Sequence, residues 1–95
     1  MVNAKITWKS PVEGGRKNLP GQNSRYCPII KFNGENSSVG NWSADITILK
    51  TDYDSLYSLA ELKYLSPNAP NCNIYTGNKF MLYEGNRLVA LGEVL

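Results

Sequence analysis

The sequence predicts an all-β domain, either a small barrel or a sandwich, and three observations lead to that prediction. Several segments alternate apolar and polar residues with a period of two, which is the pattern of half-buried strands. Turn-forming residues recur about every eight to twelve residues, and no segment carries a convincing long helical pattern. The 95 residues, of which 42% are hydrophobic, suffice for one core. We therefore expect residues 1–95 to form a single domain.

The first element is a strand with a clean alternation. Val2, Ala4, Ile6 and Trp8 share one side, and polar residues share the other. Ser10-Pro11 ends this strand, and a polar segment containing Gly14-Gly15 and Pro20-Gly21 runs from Glu13 to Ser24. A loop of this length is unusual in a domain of this size, so it is a candidate functional surface.

Two further strands are predicted in the middle of the chain, over residues 26–32 and 42–48, with a turn at Asn33-Gly34. The stretch from Asp52 to Leu65 fits two patterns. Tyr53, Leu56, Tyr57, Ala60 and Tyr64 fall near helical spacing, whereas residues 59–65 also alternate as a strand does. We favour a helical turn or loop followed by a strand from about Leu59, because Ser66-Pro67 would end that strand.

The last third of the chain predicts a short strand from Cys72 to Tyr75 and then a hairpin. Its two strands are predicted over residues 80–83 and 88–94, around the turn Glu84-Gly85-Asn86-Arg87. Gly85 and Asn86 are expected to supply positive φ angles there, since both residue types tolerate the left-handed region.

The residues needed for common catalytic chemistry are missing. The chain has no histidine, so it contains neither a Ser-His nor a Cys-His pair and lacks a usual zinc ligand. It also carries no phosphate-binding loop of the GxxxxGK[ST] type and no GxGxxG. The acid pair Asp52 and Asp54 falls in an expected loop, where turn formation explains it. We predict a protein that is not an enzyme and that has no catalytic residues, metal, cofactor or nucleotide.

The cysteines and the termini bear on location. Cys27 and Cys72 are too few for a disulfide framework, so free thiols are expected. The first residues lack the pattern of a signal peptide, and no apolar run approaches the ~20 residues that span a membrane. These features predict a cytoplasmic protein with no membrane partner.

Charge is unevenly distributed along the chain. Residues 1–32 carry six basic side chains against Glu13 alone, whereas residues 33–62 carry Lys50 against five acids. A basic first third can face phosphates or an acidic protein. It can equally be a solvated surface whose charges balance in three dimensions.

Three segments together resemble the third domain of elongation factor Tu. The first is Glu-Gly-Gly-Arg-Lys at residues 13–17, followed by Tyr-Cys-Pro at 26–28. The second is Leu-Ser-Pro-Asn-Ala at 65–69, and the third is the closing segment 79–94, with its Glu-Gly-Asn-Arg turn and Gly92. The resemblance covers nearly the whole chain in order. Cys27, Asn86 and Ala90 depart from the family pattern, and residues 50–59 replace its proline-glycine turn.

The resemblance implies a closed six-stranded antiparallel barrel of the Greek-key type. It also implies a bacterial protein linked to translation, in which the loop at residues 13–17 contacts the backbone of a tRNA stem. Carried over by position, Arg16 and Lys17 are candidate phosphate contacts and Gly92 a close backbone approach, with Arg25 as a further basic candidate.

Three roles follow from these observations. The first is a protein-interaction module (a regulator, decoy or immunity protein) with a translation-related or toxin-like partner. Its distinctive surface would be the acidic, tyrosine-bearing insert, which contains Asp52, Tyr53, Asp54 and Tyr57. The second is a module that binds tRNA or another structured RNA through residues 14–17. The third is a detached domain of a larger GTPase-like machine. The first ranks slightly above the second, because one domain offers few phosphate contacts.

Overall fold

The computed structural model describes residues 2–15, 18–33, 42–69 and 71–95. Within these ranges the chain forms strands and short 3-10 turns, without an α-helix. The strands are β1 (Val2–Trp8), β2 (Arg25–Tyr26), β3 (Ile29–Phe32), β4 (Trp42–Asp52), β5 (Tyr57–Tyr64), β6 (Lys79–Glu84) and β7 (Arg87–Val94). Over the same ranges, no helix is long and apolar enough to cross a membrane.

Six of the strands close into an antiparallel barrel, the architecture that the resemblance implies, whereas the strand pattern alone left a barrel or a sandwich open. The order around the sheet is β4-β3-β6-β7-β1-β5, and β5 pairs back with β4 to complete the ring. Strands β3, β4 and β5 are successive neighbours, and β6 returns to lie beside β3, which is the Greek-key arrangement. Closure leaves none of these six strands as a long open edge.

The predicted second strand is divided into two pieces that share one edge of β4. Arg25 of β2 pairs with Thr47 of β4, and Ile29 of β3 pairs with Ser43 of β4. The two pieces therefore keep the same register against β4. Between them the carbonyl of Pro28 accepts a hydrogen bond from the Ala44 N–H at 2.8 Å. Pro28 has no N–H to return, so the ladder is interrupted there and β2 becomes a short seventh strand.

The inward positions of all the barrel strands form one core. Phe80 lies near its centre, where its ring centroid is 5.4 Å from that of Phe32. Burying a large apolar side chain stabilises a fold by about 1.5–3 kcal/mol. The apolar residues of each alternating strand therefore face the core, as their period of two predicted. The buried apolar residues are Ala4, Ile6, Trp8, Ile30, Phe32, Ala44, Ile46, Ile48, Ala60, Leu62, Tyr64, Ala69, Phe80, Leu82, Val89, Ala90 and Val94.

The closing hairpin and the segment before β5 follow the prediction with small differences. Within the β6–β7 turn only Gly85 has a positive φ, of 63°, so the expectation of a positive φ at Asn86 is wrong. One left-handed residue suffices, because a register shift in the ladder beside the turn takes up the remaining twist. Residues 53–56 form a turn rather than a helix, and β5 begins at Tyr57, two residues before the predicted start.

The predicted strand from Cys72 to Tyr75 is wrong. A 3-10 turn spans Asn71–Asn73, and the Asn78 side-chain amide donates to the Asn73 carbonyl at 2.6 Å. A strand needs a free edge to pair with, and in a closed barrel each edge is already occupied. The segment therefore crosses the end of the barrel as an irregular connection. Cys27 and Cys72 are exposed free thiols.

The long loop after β1 begins by turning back onto the end of that strand at Gly14 and Gly15. Gly14 has a φ of 90°, and the Gly15 N–H donates to the Ser10 carbonyl at 2.8 Å. A β-carbon at Gly15 would overlap the carbonyl oxygen of Lys9. Only glycine fits so close to the preceding backbone, so a purely structural requirement accounts for both residues.

Candidate functional site

The connection between β4 and β5, residues 52–57, projects from one end of the barrel, and we call it the tip. Asp52 and Tyr57 form the last pair of the β4–β5 ladder. The Asp52 carboxylate accepts hydrogen bonds from the N–H groups of Asp54 and Ser55, both at 3.0 Å. This is the local bond by which an aspartate shapes a turn. The acid at the start of the insert therefore fixes the turn's backbone.

Leu56 closes the tip in an unusual conformation. Its φ is 55°, in the left-handed region that costs a non-glycine residue about 1–3 kcal/mol. Two contacts offset this cost: its carbonyl accepts the Trp8 N–H at 2.8 Å, and its side chain packs against the core. The tip is thus held to the end of β1.

A chain of buried and partly buried hydrogen bonds lies next to the tip. The Trp8 indole N–H donates to the Ser58 hydroxyl at 2.8 Å, and the Thr51 hydroxyl donates to the Pro20 carbonyl at 2.8 Å. The hydroxyls of Ser58 and Thr51 are 2.7 Å apart. Because the single Thr51 proton goes to Pro20, Ser58 must donate to Thr51. The chain runs in one direction and joins β1, β5, β4 and the long loop.

The far end of the long loop lies against β4 next to the tip. The Asn23 N–H donates to the Ile48 carbonyl at 2.8 Å, and the Ile48 N–H donates to the Ser24 carbonyl at 2.9 Å. Through these bonds the chain before β2 stays paired with β4 for two residues more, Ser24 and Asn23. A β-carbon at Gly21 would lie 3.4 Å from the Tyr53 hydroxyl, so Tyr53 leans over this part of the loop.

The structure brings the four predicted partner-binding residues into one hairpin but presents only two of them. Tyr53 is 60% exposed, and Asp54 is also exposed. The carboxylate of Asp52 is used by the turn's own backbone. Tyr57 is half-buried, with the Lys5 ammonium 5.0 Å from the centre of its ring. A partner would first meet Tyr53 and Asp54.

Of the four predicted RNA contacts, Arg16 and Lys17 lie outside the described residues. Arg25 forms a two-pronged ion pair with Asp45, with Nε to Oδ1 at 2.9 Å and a terminal nitrogen to Oδ2 at 3.1 Å. These hydrogen bonds hold the pKa of Asp45 below its usual value, although burial of the carboxyl opposes them, and they raise the pKa of Arg25. The guanidinium is therefore engaged with Asp45, although the Arg25 side chain stays largely exposed.

Gly92, the fourth predicted RNA contact, lies opposite Phe80 in the β6–β7 ladder. A β-carbon at Gly92 would overlap the Phe80 ring, and that ring is fixed because Phe80 is buried. Adding even a methyl group to such a site forces an unfavourable rearrangement. Packing alone thus explains the glycine, and its contact with RNA stays a prediction.

The residues that brace the tip could not be recognised from the sequence. Trp8 is far in the chain from Thr51 and Ser58, and each of the three has the sequence pattern of an ordinary strand residue. Their only sequence signal is a hydroxyl at an inward position, since Ser58 follows the alternation into the core of β5. A buried hydroxyl requires a hydrogen-bond partner, but its identity depends on the register of strands.

Within the described ranges, no three His, Cys, Asp or Glu side chains are grouped so that they could hold a metal ion. No protein-family model matches this chain, and no curated protein matches it in sequence.

Proposed function

We propose that this chain is a non-catalytic protein-interaction module that contacts its partner through the tip. The proposal links it to translation, as a regulator, decoy or immunity protein, through its resemblance to the third domain of elongation factor Tu. A closed Greek-key barrel is compatible with that resemblance, but many unrelated functions share one fold. The argument for interaction therefore rests on the tip.

The observation that carries the proposal is an exposed tyrosine on a braced turn. Tyr53 is 60% exposed, whereas the residues before and after it are tied to their own backbone, to β1 and to the hydrogen-bond chain. Tyrosine supplies a large contact area with few rotatable bonds and is enriched among the residues that dominate binding energy. A turn that is already ordered loses little entropy on association.

The chemistry of the tip defines what the partner must offer. Asp54 is exposed beside Tyr53, so the complementary surface has a pocket for an aromatic ring with a basic group at its edge. From the resemblance, we expect that surface to belong to a translation-related or toxin-like protein.

Site-specific photo-crosslinking tests this proposal. A photoreactive phenylalanine analogue replaces Tyr53 in one sample and Tyr75 in the other, and each protein is irradiated in a bacterial lysate. Tyr75 is a matched control because it is 57% exposed and lies toward the opposite end of the barrel, next to the Gly77–Val94 hydrogen bond. We expect one protein to be captured from position 53 and not from position 75.

The affinity of the purified captured protein then gives the quantitative test. Tyr53→Ala should weaken binding by about 30-fold or more, because an aromatic anchor contributes roughly 2 kcal/mol. Tyr75→Ala should change it less than about twofold, since exposed residues outside an interface contribute little. Equal losses for the two variants, or no loss for either, would contradict the proposal.

The charge imbalance of the first 32 residues favours RNA binding as a second candidate. It predicts that structured RNA retains the protein at about 50 mM salt and that reversing Arg16 and Lys17 to Glu weakens this retention for all duplex RNAs alike. The salt dependence should then become shallower, because each lost phosphate contact removes roughly 0.9 from the log–log slope for a DNA-like duplex. A wild-type protein that no structured RNA retains would eliminate this candidate.

A further inference from the structure

The outward positions of β6, β7 and β1 form a second distinctive surface, which we call the flank. It consists of Lys5, Lys79, Met81, Leu91 and Glu93. The strand register arranges these residues in two rows across the sheet. In one row Glu93 lies between Lys79 and Lys5, and in the other Leu91 lies between Met81 and Thr7.

The flank is concave where the two rows meet. One groove of about 460 Å³ is lined by Lys5, Thr7, Lys79, Leu91, Gly92, Glu93 and Leu95. An adjoining groove of about 260 Å³ is lined by Asn33, Lys79, Phe80, Met81, Leu91 and Gly92. Both are bordered by Leu91, which is 50% exposed. A large apolar side chain beside two grooves offers a place for an apolar group of a ligand.

The charge around these grooves is mostly positive. Lys79 and Lys5 are exposed on either side of Glu93. On the other side of Met81, Lys31 is its partner in the β3–β6 ladder, with its ammonium 5.5 Å from the centre of the Tyr83 ring. Three lysines thus neighbour the apolar residues Met81 and Leu91 in the sheet, with Glu93 among them. A complementary ligand carries negative charges on both sides of an apolar side chain.

We propose that the flank binds an acidic segment of a partner protein, with an apolar side chain seated against Leu91 and Met81 and its carboxylates facing Lys5, Lys79 and Lys31. This inference is independent of the tip, whose exposed charge is negative. The chain would then have two contact surfaces of opposite charge, suited to different ligands.

A peptide titration followed by NMR tests the assignment. The full chain, labelled with ¹⁵N, is titrated with a capped hexapeptide of alternating Glu and Leu, and in separate samples with Lys-Leu and Glu-Ser hexapeptides. We expect saturable shifts at the amides of Lys79, Met81, Leu91 and Glu93 with the Glu-Leu peptide. The two control peptides should bind at least about tenfold more weakly, since each lacks half of the complementary chemistry.

Charge-reversal variants then locate the binding surface. Lys5→Glu combined with Lys79→Glu should weaken Glu-Leu binding about tenfold, because two exposed attractions become repulsions. Lys79→Glu alone should weaken it about threefold and keeps the Lys5–Tyr57 contact, in case the double variant does not fold. The matched control Lys50→Glu, an exposed lysine on β4, should leave the affinity within twofold.

Several results would overturn the proposal. These are shifts confined to the tip, no saturable shifts at all, or equal binding of the Glu-Leu and Lys-Leu peptides. A duplex RNA that shifts the same flank amides at lower concentration than the peptide, and competes with it, would assign the flank to nucleic acid instead.

Discussion

The two hairpin turns of the barrel, the β6–β7 turn and the tip, adopt their shapes for different reasons. In the β6–β7 turn, Gly85 takes a φ of 63° without steric cost, and Arg87 pairs with Glu84 at 3.1 Å on the surface. In the tip, Leu56 takes a similar φ of 55° and is held there by β1 and the core. The left-handed residue of the first turn is thus a glycine that needs no distant support, although the Tyr26 hydroxyl also donates to the Glu84 carboxylate. The conformation of the tip depends on residues distant in the sequence, and their contacts hold the backbone on either side of Tyr53 in place.

The largest loss of stability that this comparison predicts is for a substitution of Ser58. Ser58→Ala removes the acceptor of the Trp8 indole and leaves a buried N–H without a partner, so unfolding stability should fall by about 1–3 kcal/mol. Arg87→Ala in the β6–β7 turn should cost less than about 0.5 kcal/mol, because it breaks only an exposed ion pair. Urea denaturation of both variants gives the two values. Similar losses would mean that the tip is no more dependent on tertiary contacts than the other turn.

A smaller change in unfolding free energy is expected from glycine and alanine substitutions in the two turns, and it distinguishes backbone strain from side-chain packing. At position 56 the Ala and Gly variants both lose the leucine contacts, so their difference in stability reports the cost of a left-handed β-carbon, offset by the greater entropy that glycine loses on folding. Gly85→Ala, compared with wild type, measures the same cost in the other turn. We expect about 1 kcal/mol in favour of glycine at both positions. A Gly variant at position 56 no more stable than the Ala variant would show that the tip relaxes out of the left-handed region.

The smallest expected change in stability concerns the ion pair between Arg25 and Asp45. Because this contribution depends on pH, the two turns should be compared at a pH where it is constant. The pKa of Asp45 is lowered in the folded state, chiefly by the hydrogen bonds from Arg25. A lowered pKa contributes stability that is present above the unfolded value of about 3.9 and is lost as the pH falls through the folded value. The contribution is modest, because the Arg25 side chain is 63% exposed to water.

Denaturation of Arg25→Met at several pH values tests this assignment. Its deficit in unfolding free energy relative to wild type should be largest near pH 7. It should shrink as the pH falls from about 4 through the lowered pKa of Asp45, because a protonated Asp45 no longer gains from Arg25. Lys50→Met, an exposed substitution on the same strand as Asp45, serves as the control and should show no such convergence. A deficit of Arg25→Met that stays constant down to pH 2 would rule out the ion pair as its cause.

The differences between prediction and structure have one physical origin. The β6–β7 hairpin was predictable because its signals lie within a few residues of one another. The segment from Cys72 to Tyr75 was assigned to a strand on its local pattern, but the closed barrel offers it no edge. The stretch after Asp52 fitted two local patterns, and only the contacts of Leu56 with β1 and the core distinguish them.

The candidate sites divide in the same way. The tyrosines and acids of the tip can be identified from the sequence. Only the structure shows that Tyr53 and Asp54 are exposed, whereas Asp52 binds backbone N–H groups and Tyr57 contacts Lys5. Arg25 is a candidate RNA contact in the sequence, and the β2–β4 register brings it to the strand that carries Asp45. The flank had no sequence signal beyond outward lysines, because its residues become neighbours only through pairing.

By itself, the sequence determined that this chain is an all-β domain, which side of most strands faces the core and where its glycine-bearing turns fall. Those properties follow from hydrophobic period and backbone sterics, which act over a few residues. Tertiary structure alone decided where the barrel closes, that β2 and β3 share one edge of β4, and which polar side chains are engaged and which exposed. Those properties depend on pairing between distant strands, and a shift of one residue in register would exchange their inward and outward faces.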